Sequence, residues 1–227
     1  MCIRDRSSRK QDSCEQVADA INARHGEERA VPIAANISNK QALESLVNQA
    51  RVRFGQINIL VCNAASNPYY GPMSGISDEQ FRKTFDNNVL SNHWLINMIA
   101  PEMIARKDGV IIVVSSIGGL IASTVLGAYH ITKAADFQLV RNLALEFGPH
   151  NIRVNAIAPG IIRTDFARAL WESPTAEAAL NRATPLGRIG EPEEVAGAAV
   201  FLASKSGSFV TGQGIVVDGG IMIKGGV

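Results

Sequence analysis

The 227-residue sequence has little net charge and few cysteines. Lys and Arg total 22 against 21 Asp and Glu, so the basic excess that is typical of a nucleic-acid-binding protein is missing. The three cysteines form no CxxC pair, and this odd, sparse set indicates reduced thiols and a cytoplasmic location. The four histidines show no metal-ligand spacing, so we expect no metal site. A chain of this length buries a sizeable core without a disulfide or metal.

The N-terminus lacks the apolar stretch of about 7–15 residues that a secretory signal peptide needs. Its first residues, Met1–Asp5, match the translation of a common sequencing-library adapter. We therefore expect residues 1–6 to be foreign and the natural coding sequence to be cut near Arg6.

One long uncharged stretch has the length of a membrane span. Residues 109–132 contain no Lys, Arg, Asp or Glu, and about 20 such residues can cross a bilayer. However, the β-branched run Val110–Val114 is followed by Ser115, Ser116 and a pair of glycines. This pattern predicts a buried strand that enters a glycine-rich loop, so we expect no membrane association.

Helical and strand-like patterns alternate along the remainder of the chain. Short apolar runs predict strands at 30–35, 57–62, 110–114, 152–158 and 215–217. Capping signals and helical spacing predict helices before Gly26, after Ser38, after Ser77, at 128–147 and from Pro192. Because the strands are apolar throughout, we expect one α/β domain over residues 7–227, with a doubly wound, Rossmann-like parallel sheet. Residues 161–191 form a long irregular segment, which is typical of a functional lid.

Small and polar residues follow the predicted strands. They are Asn36 and Ile37, Asn63, Ala64 and Ala65, Ser115 and Ser116, and Pro159 and Gly160. An open parallel sheet binds its ligands beyond the carboxyl ends of its strands, so these residues predict one coherent cleft.

Tyr129 and Lys133 are four residues apart on a predicted helix, so their side chains share one face. A phenol has a pKa of about 10 and exchanges protons poorly near neutral pH. A neighbouring ammonium stabilises the phenolate and lowers that pKa. The pair therefore indicates acid–base chemistry, and a surface Tyr beside a solvated Lys is the structural alternative.

Further motifs accompany this pair. They are Asn88, Ser116, the turn Asn63–Ala65, the segment Pro159–Thr164 (PGIIRT) and the ending 209–220 (FVTGQGIVVDGG). Over residues 7–222 the chain resembles the short-chain dehydrogenase/reductases. That family has an Asn–Ser–Tyr–Lys tetrad, a YxxxK helix, an NNAG-type turn and a PGxIxT segment, in the order seen in this sequence.

The resemblance implies a catalytic tetrad of Asn88, Ser116, Tyr129 and Lys133. Tyr129 would protonate or deprotonate the substrate oxygen, and Ser116 would hydrogen-bond that oxygen. Lys133 would lower the Tyr129 pKa and hold the nicotinamide ribose, while Asn88 would anchor a water that leads to Lys133. The implied activity is hydride transfer between a nicotinamide cofactor and a small carbonyl or alcohol substrate.

The resemblance also implies the cofactor contacts. Ile162 and Thr164 would hold the nicotinamide carboxamide, and Asn36 would accept from the adenine amino group in place of the usual Asp. The other implied contacts are Ile37, Asn63, Ala64, Ala65, Pro159, Gly160, Tyr129 and Lys133. After the family's second strand, the turn residues Ser8, Arg9 and Lys10 offer a hydroxyl and cations but no acid. Cations suit a 2′-phosphate, so we expect NADP(H) rather than NAD(H).

Two departures from the family pattern affect these expectations. No GxxxGxG turn occurs before Asn63, although that turn normally holds the cofactor pyrophosphate. Roughly 30 residues, most of a βαβ unit with the first strand, are therefore expected to be missing from the N-terminus. We expect the chain as written to be inactive, with an unpaired apolar edge on the strand 57–62. In addition, Cys62 and Ala65 replace the outer Asn and Gly of the NNAG turn.

The expected function is that of a carbonyl reductase or alcohol dehydrogenase. A 3-oxoacyl-carrier-protein reductase is one alternative, which a basic lid patch of Arg163, Arg168 and Arg182 would favour. An inactive paralogue that acts as a subunit or binding module is the other, which the missing glycine turn favours. The resemblance further implies a homotetramer built through the helices 78–106 and 128–147 and the last strand, 214–218.

Overall fold

The computed structural model describes residues 10–223 of the chain. Its α-helices are α1 (Gln11–His25), α2 (Lys40–Phe54), α3 (Asp78–Phe85), α4 (Ser91–Arg106), α5 (Gly127–Phe147), α6 (Arg168–Trp171), α7 (Pro174–Ala183) and α8 (Pro192–Ala203). Its strands are β1 (Ile59–Cys62), β2 (Gly109–Val114), β3 (Ile152–Pro159) and β4 (Gly214–Val217). Residues 1–6, which are expected to be foreign, lie outside the described residues. The turn residues Ser8 and Arg9 lie outside them as well.

The strands form one parallel sheet in the order β1-β2-β3-β4. Cys62 of β1 lies opposite Val113 of β2, and Val114 lies opposite Ile157 of β3. Parallel neighbours need a crossover between them, and these crossovers contain α3 with α4, then α5, then α6 to α8.

Apolar side chains cover both faces of this sheet. On one face, Ile111 of β2 packs in a cluster with Met103 of α4 and Phe137 of α5. On the other face, Ile112 packs in a second cluster with Leu202 of α8. Burial on both faces explains why the strands are continuous apolar runs in the sequence. The predicted single α/β domain with a helix-covered parallel sheet is therefore confirmed.

Two helix boundaries follow their sequence signals directly. α1 ends at Gly26, which takes the left-handed conformation (φ 68°) that glycine adopts without steric cost. Ser77 and Gln80 form the predicted reciprocal capping box at the start of α3.

The start of α2 differs from its prediction. Asn39, not Ser38, caps the helix by accepting from the backbone N–H of Ala42 at 2.9 Å. The Ser38 hydroxyl instead donates to Asn87 Oδ1 at 2.6 Å. The predicted cap is wrong because a partner distant in sequence takes this hydroxyl.

Residues 30–35 do not form the predicted strand. In the described part of the chain, this segment has a bridge residue, Pro32, but no ladder. Side-chain amides of α1 bind its backbone groups: Asn22 accepts from the N–H of Ala30 at 2.8 Å and donates to its carbonyl at 2.9 Å. Gln11 accepts from the N–H of Ala34 at 3.1 Å. The prediction is wrong because an apolar run indicates that a segment is buried, not that it pairs with a strand. Here α1 buries the segment, and its side chains satisfy the backbone hydrogen-bonding groups.

The helix expected from Asp78 to Arg106 is interrupted. Residues Asp86–Leu90 form a π turn between α3 and α4, and Asn87 and Asn88 within it are buried. Such turns occur frequently at functional sites because they change the direction in which side chains project.

The uncharged stretch 109–132 contains β2, a 3₁₀ turn at Ile117–Gly119 and the first residues of α5. The predicted strand that enters a glycine-rich loop is therefore confirmed. Within residues 10–223, no helix is long and apolar enough to cross a membrane.

The segment 161–191 leaves the sheet and returns to nearly the same point. Ile162 and Gly190 form an isolated parallel bridge, and the N–H of Arg163 donates to the Gly190 carbonyl at 2.9 Å. Between these residues the chain forms α6 and α7. The two ends of residues 161–191 are thus joined by backbone hydrogen bonds next to the end of β3.

Candidate active site

The carboxyl ends of β1, β2 and β3 lie at one edge of the sheet because the strands are parallel. The residues that directly follow these strands are Asn63–Ala65, Ser115 with Ser116, and Gly160. The structure therefore brings these predicted cleft residues together. Gly160 lies so close to the backbone after β4 that an added Cβ would be 2.8 Å from Asp218 Cα, so a larger residue does not fit.

Tyr129 and Lys133 lie on one face of α5. The Lys133 Nζ is 5.7 Å from the centroid of the Tyr129 ring. Tyr129 is half-buried and Lys133 is buried. A buried ammonium beside the ring can stabilise a phenolate, because the effective dielectric constant there is lower than in water. The burial of Lys133 excludes the alternative of a surface Tyr beside a solvated Lys.

An acid that the sequence analysis missed holds this ammonium. Lys133 Nζ donates to the Val114 carbonyl at 2.9 Å and to Asp136 Oδ2 at 3.2 Å. The Lys133 and Asp136 side chains are 2% and 0% exposed. Burial raises the pKa of Asp136 above its ordinary value, and the charge of Lys133 opposes that rise. The signal in the sequence was an acid three residues after Lys133, a spacing that places both side chains on one face of the helix.

Asn88 joins the loop after β1 to helix α5. It is fully buried, and its Oδ1 accepts from the backbone N–H of Ser66 at 2.8 Å. Its Nδ2 donates to the Ser66 carbonyl and to Thr132 Oγ1, each at 3.0 Å. Thr132 in turn donates to the Tyr129 carbonyl at 2.7 Å. Asn88 therefore fixes the backbone of α5 at Tyr129 relative to the loop after β1.

A series of side-chain hydrogen bonds connects Asn88 to Lys133. Asn92 of α4 donates from Nδ2 to the Asn88 carbonyl at 2.8 Å and to Asp136 Oδ1 at 3.2 Å. The other carboxylate oxygen of Asp136 accepts from Lys133. The sequence analysis also missed Asn92, whose only sequence signal is an amide at a buried position of α4.

Ser116 follows β2 and caps the 3₁₀ turn. Its Oγ accepts from the N–H of Gly118 at 3.0 Å, so its hydrogen can be donated to another group. The turn lies directly against α5, since a Cβ on Gly119 would be 2.6 Å from the Lys133 carbonyl oxygen. Glycine at position 119 thus allows the Ser116 loop to approach the helix of Tyr129 and Lys133.

The turn at 36–37 is tied to the loop after β1. Asn36 is exposed, and its Oδ1 accepts from the N–H of Ser38 at 3.1 Å. The Ser38 hydroxyl donates to Asn87 Oδ1, and Asn87 donates to Ser66 Oγ at 2.8 Å. Asn36 and Ile37 therefore lie near the strand-end residues even though no strand precedes them in the described chain.

Lys10 is exposed and directly precedes α1. The next residue, Gln11, binds the backbone of Ala34. Lys10 is consequently at the same end of α1 as the segment that leads to Asn36.

Ile162 and Thr164 begin the segment 161–191, and both are half-buried. Thr164 Oγ1 donates to the Ile162 carbonyl at 3.4 Å and accepts from the N–H of Ala167 at 3.3 Å. Two residues later, the Phe166 ring lies 6.0 Å from the Tyr129 ring while remaining 60% exposed. The segment therefore places an aromatic side chain beside the phenol.

Arg163 and Arg168 of the predicted basic patch are paired with acids. Arg163 donates to Glu177 of α7 at 2.6 Å and to Glu191 at 3.2 Å. Arg168 pairs with Asp165. These pairs leave little uncompensated positive charge on Arg163 and Arg168 for an acidic partner.

Cys62 is the last residue of β1 and lies near Asp136 and Lys133. Burial, and secondly the charge of Asp136, raise the pKa of this thiol to about 12, although Lys133 opposes the rise. The thiol is therefore neutral at physiological pH and unsuited to nucleophilic chemistry. Within residues 10–223, no group of three His, Cys, Asp or Glu side chains is placed to hold a metal ion.

Known enzymes match almost the whole chain. The family model described as enoyl-(acyl carrier protein) reductase matches residues 2–222. The human dehydrogenase/reductase SDR family member 4 is 38% identical over 215 residues, which are 94% of this chain and 76% of the human protein. The chain belongs to the short-chain dehydrogenase/reductase family. The resemblance predicted from the tetrad and its accompanying motifs is thus confirmed.

Solved structures share the fold of this short-chain dehydrogenase/reductase. A 7α-hydroxysteroid dehydrogenase complexed with NADH and 7-oxo glycochenodeoxycholic acid has a TM-score of 0.89 and 35% identity, covering 95% of this chain and 83% of its own. A gluconate 5-dehydrogenase from Burkholderia cenocepacia J2315, solved with NADP and tartrate, has a TM-score of 0.88 and 26% identity, covering 97% and 86%. One of these proteins holds NADH and the other NADP.

Proposed function

We propose that this short-chain dehydrogenase/reductase uses a nicotinamide dinucleotide to interconvert a carbonyl and an alcohol, with Tyr129 as general acid and base. The observation that carries the proposal is the buried Lys133 ammonium, 5.7 Å from the Tyr129 ring. The solved relatives that hold NADH and NADP support the cofactor class.

Tyr129 donates its proton to the carbonyl oxygen in reduction and accepts a proton from the alcohol in oxidation. A free phenol has a pKa of about 10, and the ammonium of Lys133 favours the phenolate that oxidation requires. The hydroxyl of Ser116, whose oxygen already accepts from Gly118, donates to the same substrate oxygen. Asn88 acts on these groups through the backbone of α5, which it holds by way of Thr132.

The strand ends suit the nicotinamide half of such a cofactor. Small residues leave space there, and the Gly160 backbone lies in close contact with Asp218. The proposed cofactor contacts within the described residues are Lys10, Asn36, Ile37, Asn63, Ala64, Ala65, Tyr129, Lys133, Pro159, Gly160, Ile162 and Thr164. When bound, the cofactor supplies the hydride.

NADP(H) is the form of the cofactor that we propose. Lys10 is an exposed cation at the end of α1 nearest the Asn36 segment, where a 2′-phosphate would gain from a positive charge. Arg9 and Ser8, which precede it in the sequence, lie outside the described residues.

The substrate is proposed to be a small carbonyl or alcohol that the segment 161–191 covers as a lid. The Phe166 ring beside Tyr129 offers such a substrate an apolar contact at the reacting oxygen. Since this ring is mostly exposed, substrate binding would bury it and gain hydrophobic free energy.

A 3-oxoacyl-carrier-protein reductase is a second candidate, which the similarity to a solved 3-oxoacyl-[acyl-carrier protein] reductase from Brucella melitensis, 30% identical to this chain, favours. The pairing of Arg163 and Arg168 with acids weighs against it, because an acidic carrier protein requires uncompensated cations. Comparing kcat/KM for an acetoacetyl carrier protein with that for its free thioester distinguishes the two. A large preference for the carrier-bound form would favour this second function.

We also propose a cytoplasmic homotetramer. Ile131 and Leu145 of α5 and Val216 of β4 are exposed apolar residues on the elements expected to form its interfaces. Exposed apolar surface of this kind is typical of protein contacts. The neutral Cys62 thiol is compatible with a reducing compartment. Light scattering after size-exclusion chromatography tests the assembly, and a monomer at micromolar concentration would contradict it.

The kinetic experiments, here and below, use the length-restored protein, in which the glycine-rich turn precedes residue 7. The first of them compares two Tyr→Phe variants. Tyr129→Phe is expected to lower kcat for carbonyl reduction by about 10²–10⁴-fold while leaving cofactor affinity nearly unchanged. Tyr70→Phe, at an exposed tyrosine, is the matched control and should retain wild-type turnover. Full turnover by Tyr129→Phe would overturn the assignment. Cofactor binding by the wild type without turnover of any carbonyl or alcohol would favour the non-enzymatic alternative.

A further inference from the structure

The ion pair between Lys133 and Asp136 is fully enclosed by protein. The distance from Nζ to Oδ2 is 3.2 Å, and both side chains are almost completely buried. A buried charge without a counter-ion is strongly unfavourable, so each of these residues depends on the other to remain ionised.

Four elements contribute polar groups around the Asp136 carboxylate. Lys133 is on α5 itself, Asn92 donates from α4, Ser115 follows β2, and Cys62 ends β1. Cys62 is neutral because burial raises its pKa to about 12. Asp136 is therefore the acid that pairs with Lys133 in this cluster.

We propose that Asp136 is a positioning residue for the reaction: its carboxylate holds Lys133 in the buried site as the ammonium that faces Tyr129. This inference rests on the proposed role of Tyr129 as the acid and base.

The position of the carboxylate is itself fixed from outside α5. Asn92 donates one amide hydrogen to Asp136 and the other to the carbonyl of Asn88, so the ion pair is tied to the π turn. Lys133 Nζ also donates to the Val114 carbonyl, which fixes the ammonium from the end of β2. The Lys133–Asp136 pair is therefore fixed by groups of α4 and β2 as well as by α5.

The inference has a definite electrostatic sign. Removing the carboxylate while retaining an amide oxygen leaves the buried Lys133 without a counter-ion, which favours its neutral form. The Tyr129 phenolate then loses the neighbouring positive charge, so alcohol oxidation should require a higher pH than in the wild type. A purely structural role for Asp136 would change stability but would not move this pH dependence in a fixed direction.

The experiment is the pH profile of kcat/KM for alcohol oxidation by the cofactor-saturated enzyme. Asp136→Asn should move the Tyr129-dependent limb by about one pH unit to higher pH. Glu146→Gln removes an exposed acid from the same helix and is the matched control, with a profile that superimposes on the wild type. Asp136→Ser removes the charge without requiring an amide to fit, and the shift should have the same sign.

The outcomes separate this inference from the proposed function. A limb that is absent in Tyr129→Phe but unchanged, or moved to lower pH, in Asp136→Asn overturns the role of Asp136 alone. A limb that persists with full activity in Tyr129→Phe overturns the proposed function and the inference with it. Loss of folding in both Asp136 variants, measured by thermal melting, would assign Asp136 to stability only and overturn the inference.

Discussion

Asn88 and Thr132 connect the π turn to helix α5 through a side-chain hydrogen bond of 3.0 Å between two fully buried residues. Asn88 also forms hydrogen bonds with the backbone N–H and the carbonyl of Ser66. Its side-chain amide therefore contacts both the loop after β1 and the helix that carries Tyr129. This buried side chain therefore helps to fix the relative position of the two cleft walls.

Truncating this amide should destabilise the fold. Asn88→Ala removes the acceptor of the half-buried Ser66 N–H and the buried hydrogen bond to Thr132, so the free energy of unfolding should fall by about 1–3 kcal/mol. Asn97→Ala removes an exposed amide of α4 and should change it by less than about 0.5 kcal/mol. Urea denaturation of both variants measures the difference, and an equal effect would contradict the connecting role of Asn88.

The charge at Lys10 should influence the choice of cofactor. Lys10→Glu places a carboxylate near the 2′-phosphate proposed for NADPH, so kcat/KM for NADPH should fall by about tenfold relative to that for NADH. Lys205→Glu, at an exposed lysine on the 3₁₀ turn before β4, makes the same charge change elsewhere. Its cofactor ratio should equal that of the wild type. Equal or better use of NADH by the wild type would refute the assignment of NADP(H).

The Cys62 thiol should resist alkylation in the folded protein. Its pKa of about 12 lies far above neutral pH, so the reactive thiolate is scarce at pH 8 and increases only as pH rises towards that value. Iodoacetamide treatment followed by peptide mass spectrometry should show Cys62 unlabelled in native protein and labelled in urea. Rapid labelling of the native protein would show that the thiolate is accessible and stabilised.

Removal of the Phe166 ring should weaken substrate binding without weakening the fold. The ring lies 6.0 Å from the Tyr129 ring and is 60% exposed, so Phe166→Ala should raise KM for apolar substrates while the melting temperature changes little. Phe209→Ala, at a fully exposed ring, should leave both quantities unchanged. Steady-state kinetics across substrates of increasing apolar size measures the effect, and an unchanged KM would remove Phe166 from the proposed binding surface.

The 227-residue chain, expressed without any added residues, is expected to bind NADP(H) weakly. The sequence has no GxxxGxG turn before Asn63 to hold the pyrophosphate. In the described sheet β1 is an outer strand, and its Val61 is 45% exposed, which favours association between chains. Isothermal titration with NADPH and light scattering of the same sample measure both effects. Tight binding by a monodisperse product would contradict this expectation.

Local patterns predicted most of the secondary structure correctly. The run Val110–Val114 lies within β2, and the four-residue spacing of Tyr129 and Lys133 places both on one face of α5. The predictions that are wrong involve partners distant in sequence. Ser38 binds Asn87 instead of capping α2, and the backbone at Ala30 binds Asn22 instead of a neighbouring strand.

The sequence by itself determined the α/β fold and the arrangement of Tyr129 with Lys133, because the apolar runs of the strands and the four-residue helical spacing are patterns of residues close together in the chain. Only the tertiary structure decided how Lys133 is held. Its counter-ion Asp136 is three residues away, but the burial that makes the pair strong comes from α4, β1 and the end of β2. The electrostatic effect of an acid depends on the groups packed around it, and those groups come together only when distant segments of the chain fold against one another.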